Sequence, residues 1–281
     1  MTVEATARHS PAESPVRRHG RFHPLWSIQV FLRSCTVAFA HERMMHTWWT
    51  WAGLWMVRLV AEISFFALIG RLIGSDDAVA FLLIGAAMLS PAYGTMFVAQ
   101  AVRGMMFDGL IPYLIAAPAP SFPAALGRSV HWCVDGVIAG TLGLLIGNAA
   151  FDLGLSAGQL AALIGLVMLC PVVMIGTGLM LGSVATRIPT ASNLLSGLAR
   201  GILGLLCGAT FAVTFLPGWL QVISKMIPLT HLVAAARDVT AGDPVGWNLL
   251  LAAATGLAWV VLAYIVIKTQ FERARRTGVF E

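Results

Sequence analysis

The chain has 281 residues, of which 58% are hydrophobic and only 11% are charged, and its formal net charge at pH 7 is +5. An ordinary soluble domain has about 25% charged residues, so the composition excludes that class. The basic residues are spread over loops and chain ends, which is typical of orientation in a membrane and argues against a nucleic-acid-binding patch. Because the apolar runs reach the roughly 20 residues that a spanning helix needs, we predict an all-α polytopic membrane protein.

The first 24 residues are rich in Ser, Pro, Arg and His and show no apolar periodicity. We predict a disordered cytoplasmic tail, and no signal peptide, because no apolar core with a cleavage site follows the charges. Residues 25–45 are too polar to span a bilayer. Their polar stripe, which includes Arg33 and Arg43, is flanked by apolar residues such as Trp26 and Phe31. The pattern favours a helix in the membrane interface, with a plain buried helix of the bundle as the alternative.

Six apolar runs predict six transmembrane helices, at residues 50–70, 78–102, 124–148, 160–184, 194–215 and 247–269. An even number places both termini on one side of the membrane. In and beside the ends and connectors, thirteen Lys and Arg residues lie on that side and three on the other, so the positive-inside rule makes it cytoplasmic. The chain is therefore divided into a tail (1–24), a six-span domain (25–270) and a basic cytoplasmic tail (271–281).

The connector between the second and third spans, residues 103–120, is more elaborate than a simple turn. It has room for a short helix over residues 105–116, which Pro118 and Pro120 would close. Its apolar side chains fall near helical spacing and form a stripe. The predicted contact residues are Arg103, Met105, Met106, Asp108, Leu110, Tyr113 and Leu114. We interpret the segment as the place where a soluble motor pushes; a capped interfacial connector without a partner is the alternative.

The fifth connector, residues 216–246, is the one long segment on the outer side. Its apolar residues form two short helical stretches broken at Pro228, each too short to cross a bilayer. A pair of re-entrant helices in the outer leaflet is one interpretation, and a pair lying on the surface is the other. The residues that we single out in this segment are Pro217, Trp219, Pro228, His231 and Arg237.

Polar side chains share one face in each of two predicted spans. In the first span, an offset of three or four residues separates the successive members Trp48, Trp51, Trp55, Arg58 and Glu62. Arg58 and Glu62 lie about 12 and 18 Å into the span, where a charge needs a partner or water.

In the third span, Arg128, His131 and Asp135 repeat the pattern. We hypothesise that the two faces turn toward each other or toward a hydrated route. The alternatives are an aromatic belt for Trp48 and Trp51, and a static network that staples the bundle for the charged residues.

Several motifs are missing from the sequence. There is no G-x-x-x-x-G-K-[ST] loop, no HExxH, no internal repeat and no set of carboxylates with metal-ligand spacing. The four cysteines form no CxxC pair, so neither a disulfide framework nor a zinc site is expected. GxxxG patterns are frequent, and the doubled pattern in the fifth span (197–201 and 204–208) predicts a packing or dimer face.

The pattern resembles the membrane subunit of type-2 ATP-binding-cassette (ABC) exporters, the group that contains daunorubicin-type drug efflux permeases and polysaccharide exporters. The resemblance covers the chain from about residue 25 onward. It rests on the interfacial helix before six spans, on residues 103–118 of the central connector, and on LPGWL (216–220), PLTH (228–231) and AR (236–237). It implies that the central connector is a coupling helix seated on an ATPase subunit. It also implies that the first and fifth spans of two copies form the dimer contact and the cargo route.

These observations predict a permease subunit of an ATP-driven exporter in the bacterial plasma membrane, and no enzyme. The expected cargo is an amphipathic drug-like or lipid-linked molecule, and the predicted route residues are Trp51, Trp55, Arg58, Glu62, His131 and Asp135. The expected partners are two copies of a separate ABC ATPase, which would bind ATP and Mg, and a second membrane subunit that makes a homodimer. No cofactor or metal is expected on this chain. The alternatives are a polysaccharide or glycolipid exporter, an ion-coupled carrier that uses Arg58, Glu62, His131 and Asp135 as a relay, and an intramembrane enzyme.

Overall fold

The computed structural model of the protein describes residues 24–45, 47–98 and 121–277. In these ranges the fold is all-helical, with nine α-helices: α1 (Pro24–Met45), α2 (Trp48–Ile73), α3 (Asp76–Met96), α4 (Ser121–Phe151), α5 (Ala157–Ala185), α6 (Ser192–Leu206), α7 (Gly218–Lys225), α8 (Pro228–Ala241) and α9 (Gly246–Thr277). Single 3-10 turns at Pro189–Ala191 and Val213–Phe215 flank α6.

Three sequence predictions fall outside the described residues. They are the N-terminal tail up to residue 23, the last residues of the C-terminal tail (278–281), and the central connector with its contact residues Arg103, Met105, Met106, Asp108, Leu110, Tyr113 and Leu114.

Local signals in the sequence account for several helix ends. At the start of α5, the Ser156 hydroxyl accepts from the Gln159 backbone N–H, and the Gln159 side chain accepts from the Ser156 N–H at 3.0 Å. This reciprocal pair satisfies two of the free N–H groups of the first turn. Pro228 occupies the first turn of α8, where its missing N–H costs nothing. Gly242 ends α8 in the left-handed conformation, with φ 79°.

Helix α3 lies at the centre of the bundle. It packs against α2, α4, α5, α6 and α8, and its residues from Leu82 to Ala92 are all buried. Small residues permit this crowding: a methyl group added at Gly85 would overlap the Ala209 carbonyl oxygen, and one at Gly94 would overlap the Trp132 carbonyl oxygen. The main core cluster forms where α3 meets α5 and α8, around side chains such as Met88, Leu163, Val167, Met174, Leu229 and Leu232.

Among the described residues, five helices are long and apolar enough to cross a membrane: α2, α3, α4, α5 and α9. They occupy the first, second, third, fourth and sixth predicted spans. Helix α1, which corresponds to the predicted interfacial helix, packs along α4. A methyl group at Gly127 of α4 would lie 2.6 Å from the Ser34 side chain of α1, so these two helices approach closely.

The fifth predicted span, residues 194–215, does not form one long helix. Helix α6 has 15 residues, which is about 22 Å at 1.5 Å per residue and less than the roughly 30 Å of a bilayer core. The chain leaves the helix at Cys207, and Gly208 has φ +74°. The prediction was too long because the apolar run continues to Phe215, and hydropathy does not register the change of backbone conformation at the glycine.

Side chains satisfy the backbone carbonyls around this helix end. Leu206 O accepts from Ser224 Oγ at 2.7 Å, and Gly204 O accepts from Thr210 Oγ1. Gly208 O accepts from Arg237 Nη2. The non-helical segment at residues 207–212 is therefore held by α7 and α8 rather than left without partners.

The long connector that the sequence places on the outer side contains α7 and α8, which meet at Pro228. Most of the first nine residues of α8 are buried, including Leu229 and Leu232, and the helix packs against α3, α5 and α9. Helix α7 is largely exposed, and Ser224 is its one buried residue. Helix α8 thus belongs to the bundle, and α7 lies at the bundle surface. The choice between re-entrant and surface-lying positions relative to lipid stays a prediction.

Candidate functional site

The polar faces of α2 and α4 meet through a hydrogen bond. Trp55 Nε1–H on α2 donates to Asp135 Oδ1 on α4, with 2.6 Å between the two atoms. Both side chains are half-buried. The Trp51 ring stacks on the Trp55 ring at a centroid distance of 5.7 Å and an interplanar angle of 24°. The indole therefore supplies the donor that a carboxylate at this depth requires.

Arg58 and Glu62 continue the same face of α2. Glu62 Oε1 accepts from Ser90 Oγ on α3 at 3.2 Å. The Arg58 side chain is exposed, and it lies close enough to Glu62 and Asp135 to act on both carboxylates electrostatically. Polar contacts thus connect α2 to α3 as well as to α4, and the Arg58 guanidinium lies at the exposed edge of this face.

A small pocket lies beside Glu62 between α2, α3 and α4. It is lined by Leu59, Glu62, Ile63, Leu83, Ala86, Ala87, Ser90, Ala139 and Gly143. Its volume of about 20 Å³ has room for one water molecule, with the Glu62 carboxylate and the Ser90 hydroxyl as partners. A drug-sized ligand needs a pocket of about 300 Å³ or more. In this conformation the pocket can hydrate a carboxylate, and a larger molecule would need an opened form or the surface of the face.

His131, one turn before Asp135 on α4, makes its polar contacts with α1 and with its own helix. Its Nε2 lies 3.8 Å from Glu42 Oε2 on α1, and its Nδ1 lies 3.0 Å from the Arg128 carbonyl oxygen. The Phe39 ring of α1 meets the imidazole edge-on at a centroid distance of 6.3 Å. Of the six predicted route residues, the structure therefore joins Trp51, Trp55 and Asp135 directly, places Arg58 and Glu62 on the same face, and connects His131 to α1.

The side chain of Trp48, which the sequence pattern groups with this face, lies outside the described residues.

Sequence reasoning missed several polar and aromatic residues that contact this region. Arg200 of α6 places its guanidinium carbon 4.7 Å from the Phe97 ring centroid, and the Trp132 ring of α4 stacks on Phe97 at 4.7 Å. Ser90 was missed as the partner of Glu62. Arg200 carried a usable signal, because an arginine inside a predicted span is a candidate functional residue by itself. Ser90 and Phe97 carried none, since serine and phenylalanine are common in apolar helices.

The residues predicted in the outer connector have separate positions. Pro217 precedes α7, and Trp219 is 67% exposed on its surface. His231 Nε2–H donates to the Lys225 carbonyl oxygen at 2.9 Å, which joins the start of α8 to the end of α7.

Arg237 of α8 makes two contacts at the end of α6. Besides the hydrogen bond to Gly208 O, its guanidinium carbon lies 3.7 Å from the Phe81 ring centroid of α3. Burial lowers the pKa of the Arg237 guanidinium to about 10, so the side chain keeps its charge at neutral pH. Arg237 therefore acts as a strut between α8, α3 and the non-helical segment after α6.

One exposed face of α6 combines small and large apolar residues. Leu194, Leu198, Ile202 and Leu205 are each more than half exposed, and Gly197 and Gly201 lie between them with open space where a side chain would be. Helix α2 also exposes large apolar side chains, such as Leu54, Val57, Val60, Leu68 and Leu72. These faces are suited to contact lipid or another helix.

The described residues offer no constellation for metal binding. No group of three or more His, Cys, Asp or Glu side chains in these ranges could hold a metal ion. Cys35, Cys133, Cys170 and Cys207 are free thiols. The arrangement on α2, α3 and α4 places a cation, an aromatic pair and two hydrogen-bonded carboxylates on one face.

The family model described as "ABC-2 type transporter" matches residues 36–240 of the chain, which includes the last ten residues of α1, all of α2 to α7, and α8 except for its last residue. No curated protein matches the chain.

Proposed function

Since the chain belongs to the ABC-2 type transporter family, we propose that it is the permease subunit of an ATP-driven exporter that moves an amphipathic drug-like or lipid-linked molecule outward across the plasma membrane. The family match over residues 36–240 is the observation that carries this proposal. ABC-2 membrane domains work with ABC ATPase partners in general. The chain is thus a multi-pass membrane protein that serves transport, and the proposal adds its cargo, direction and source of energy.

A separate ATPase supplies the energy in this proposal. Two copies of this chain and two copies of the ATPase form the complex, in a bacterial inner membrane with both termini in the cytoplasm. The ATPase, which binds ATP and Mg, presses on the central connector at residues 103–120. The position of this connector in the chain, between the central helix α3 and its neighbour α4, supports the role, because force applied there acts on the middle of the bundle.

The route for the cargo follows the shared face of α2 and α4. Trp51 and Trp55 offer aromatic surface, and Arg58 and Glu62 offer charge beside it. An amphipathic molecule suits this combination, because its apolar part can contact the exposed apolar side of α2 while its polar part meets the charged residues. A polysaccharide or glycolipid is the second choice, since indole rings also stack on sugars. An ion-coupled carrier is the rival from another class.

The second membrane subunit packs on the exposed face of α6 that carries Gly197 and Gly201, beside the exposed face of α2. Small residues let two helix backbones approach closely in lipid, where packing rather than water exclusion drives association. The open space at both glycines supports this placement.

Copurification tests the function most directly. The full-length chain is expressed together with the genes that neighbour its own, among which we expect one for a soluble ATPase, and it is purified through a tag on the chain and reconstituted in lipid nanodiscs. We expect the ATPase to copurify, and we expect some members of a panel of fluorescent amphipathic dyes to raise ATP hydrolysis. If the purified chain alone transports dye down an ion gradient, without nucleotide or a second protein, the proposal is wrong.

A further inference from the structure

An aromatic and cationic cluster lies where α3 ends. Helix α3 ends at Met96, and the backbone N–H of Phe97 turns back onto the carbonyls of Gly94 and Thr95. The predicted coupling connector begins six residues beyond Phe97 in the sequence, so this helix end is the part of α3 nearest to the connector along the chain.

Phe97 is held from two sides by other helices. The Trp132 ring of α4 is stacked on the Phe97 ring, with an interplanar angle of 20° and 4.7 Å between centroids. Arg200 of α6 places its guanidinium carbon 4.7 Å from the same ring centroid. Trp132 is the twelfth of the 31 residues of α4, and its contact with Phe97 joins the two helices on either side of the connector.

A hydrogen bond from a side chain to a backbone carbonyl oxygen also connects α6 to the end of α3. Ser196 Oγ on α6 donates to the Met96 carbonyl oxygen on α3 at 3.3 Å. Arg200 Nε–H donates to the Ser196 carbonyl oxygen at 3.3 Å, which orients the guanidinium toward Phe97. Two successive residues of the α3 end, Met96 and Phe97, therefore contact two residues of α6 that lie one turn apart.

The same level of the bundle connects to α1. His131 precedes Trp132, the two rings are 4.7 Å apart, and His131 faces Glu42 and Phe39 of α1. Contacts thus run from α1 through α4 and the end of α3 to α6, with the connector as the chain segment between α3 and α4.

We propose that Phe97, Trp132 and Arg200 are positioning residues that transmit a shift of the coupling connector to α6, so that α6 moves with the end of α3 instead of sliding past it. This inference rests on the proposed function. A guanidinium over an aromatic ring is attracted more strongly as the two groups lose contact with water. Arg200 and Phe97 are both half-buried, so separating them costs more than moving them together. Packed contacts of this kind tend to have discrete arrangements, which suits transmission of a two-state motion.

The contact itself is testable in the chain alone. Thermal unfolding in lipid nanodiscs is compared for Arg200→Gln, Phe97→Leu and the double variant. We expect the double variant to lose no more thermal stability than the more severe single variant, because each change removes the same contact. Arg71→Gln with Phe151→Leu is the matched control. The Arg71 guanidinium carbon lies 5.4 Å from the Phe151 ring centroid, in a second cation–ring contact between the C-terminal ends of α2 and α4. Strictly additive losses for Arg200 and Phe97 would overturn the contact.

Transmission is tested in the complex with the copurified ATPase. Spin labels at Ala161→Cys on α5 and Asn193→Cys on α6 report the distance between the two helices. The labelled chain has its four native cysteines replaced and is diluted with unlabelled subunits. We expect ATP with vanadate to shift this distance. The size of this distance change should fall by about fivefold in Arg200→Gln and in Phe97→Leu. Arg200→Lys, which keeps the cation, should retain most of it, and Arg71→Gln should leave it unchanged.

Two outcomes separate this inference from the proposed function. If no ATPase copurifies, the proposed function fails, and the transmission role fails with it. If an active ATPase copurifies but the shift is absent, or is equal in Arg200→Gln and Arg71→Gln, the exporter assignment stands and the transmission role is overturned.

Discussion

At the scale of single residues, the pairing of Trp55 with Asp135 determines how α2 and α4 can turn against each other. A half-buried carboxylate that loses its donor keeps its desolvation cost, whereas a tryptophan that loses its acceptor loses little. The two partners are therefore unequal, and the carboxylate governs the energetics of the contact.

Trp55→Phe should destabilise the chain by about 1–2 kcal/mol, because it leaves Asp135 without the indole donor. Trp55→Phe combined with Asp135→Leu should recover part of the loss. The measurement is denaturant-induced unfolding in bicelles. Trp49→Phe is the control, since Trp49 is 80% exposed on the same helix, and it should change little. Equal losses for Trp55→Phe and Trp49→Phe would contradict the structural role of the hydrogen bond.

Some of these residues can be recognised from the sequence as candidate site residues and others cannot, for physical reasons. Glu62 and Asp135 stand out because a carboxylate in an apolar run is expensive, and the helical period shows which neighbours share its face. The helical period of the sequence gives no information on how one helix is rotated relative to its neighbour. For that reason neither Ser90 as the partner of Glu62 nor Trp55 as the partner of Asp135 could be derived. Arg200 satisfied the same criterion as Glu62, but it lacked a second charge at helical spacing and was overlooked.

At the scale of elements, the end of α6 departs most from the sequence prediction. The apolar run from residue 194 to residue 215 contains a left-handed glycine, three capped carbonyls and a 3-10 turn. A hydropathy profile does not detect such features, because it averages side-chain hydrophobicity over a window and does not depend on the backbone angle φ. The remaining helices were predicted within a few residues at most ends, because their apolar runs end at the capping residues themselves, such as Gly74 after α2 and Ser156 before α5.

Gly208→Ala should cost about 1–2 kcal/mol of stability, since L residues are strained at φ +74°. The added methyl group would also lie 2.8 Å from Val213 Cγ2. Gly165→Ala is the control, because Gly165 lies inside α5 with nothing within 4 Å of an added methyl group, and it should leave stability unchanged or raise it slightly. Thermal unfolding in nanodiscs checks both variants. A Gly208→Ala protein as stable as Gly165→Ala would show that the break after α6 carries no strain.

The central connector makes a prediction at the same scale. Asp108→Lys and Tyr113→Ala should leave the chain in the membrane with unchanged thermal stability, but they should lower dye-stimulated ATP hydrolysis by about tenfold, because in the proposed complex they alter the surface that contacts the ATPase. The assay uses inverted membrane vesicles with the adjacent ATPase coexpressed. Dye export at the normal rate in both variants would remove the coupling role of the connector.

At the scale of the whole molecule, the unequal coverage of the helices is informative. Helix α3 is surrounded by protein, whereas α2 and α6 keep long apolar faces exposed. Helix α2 carries the charged residues Arg58 and Glu62, and the exposed face of α6 carries Gly197 and Gly201. We expect two copies of the chain to form a symmetric pair through these helices, because a two-fold axis covers the same surface on both copies.

Gly197→Leu combined with Gly201→Leu should lower the association of two copies by about tenfold, because bulky side chains keep the two α6 backbones apart. Energy transfer between differently labelled chains in bicelles measures the association. Gly165→Leu, which adds the same side chain to another open position, should have no effect. If all three substitutions leave association unchanged, the α6 face contacts lipid.

The burial of α3 also bears on how the protein is made. The first helices to enter the membrane include α3, yet the side chains that cover it from one side, Leu229 and Leu232, are synthesised about 140 residues later. Until α8 arrives, the nascent chain must shelter the small and polar residues of α3 by other means. A product that stops after α6 would lack this cover, and we expect membrane proteases to recognise and remove it.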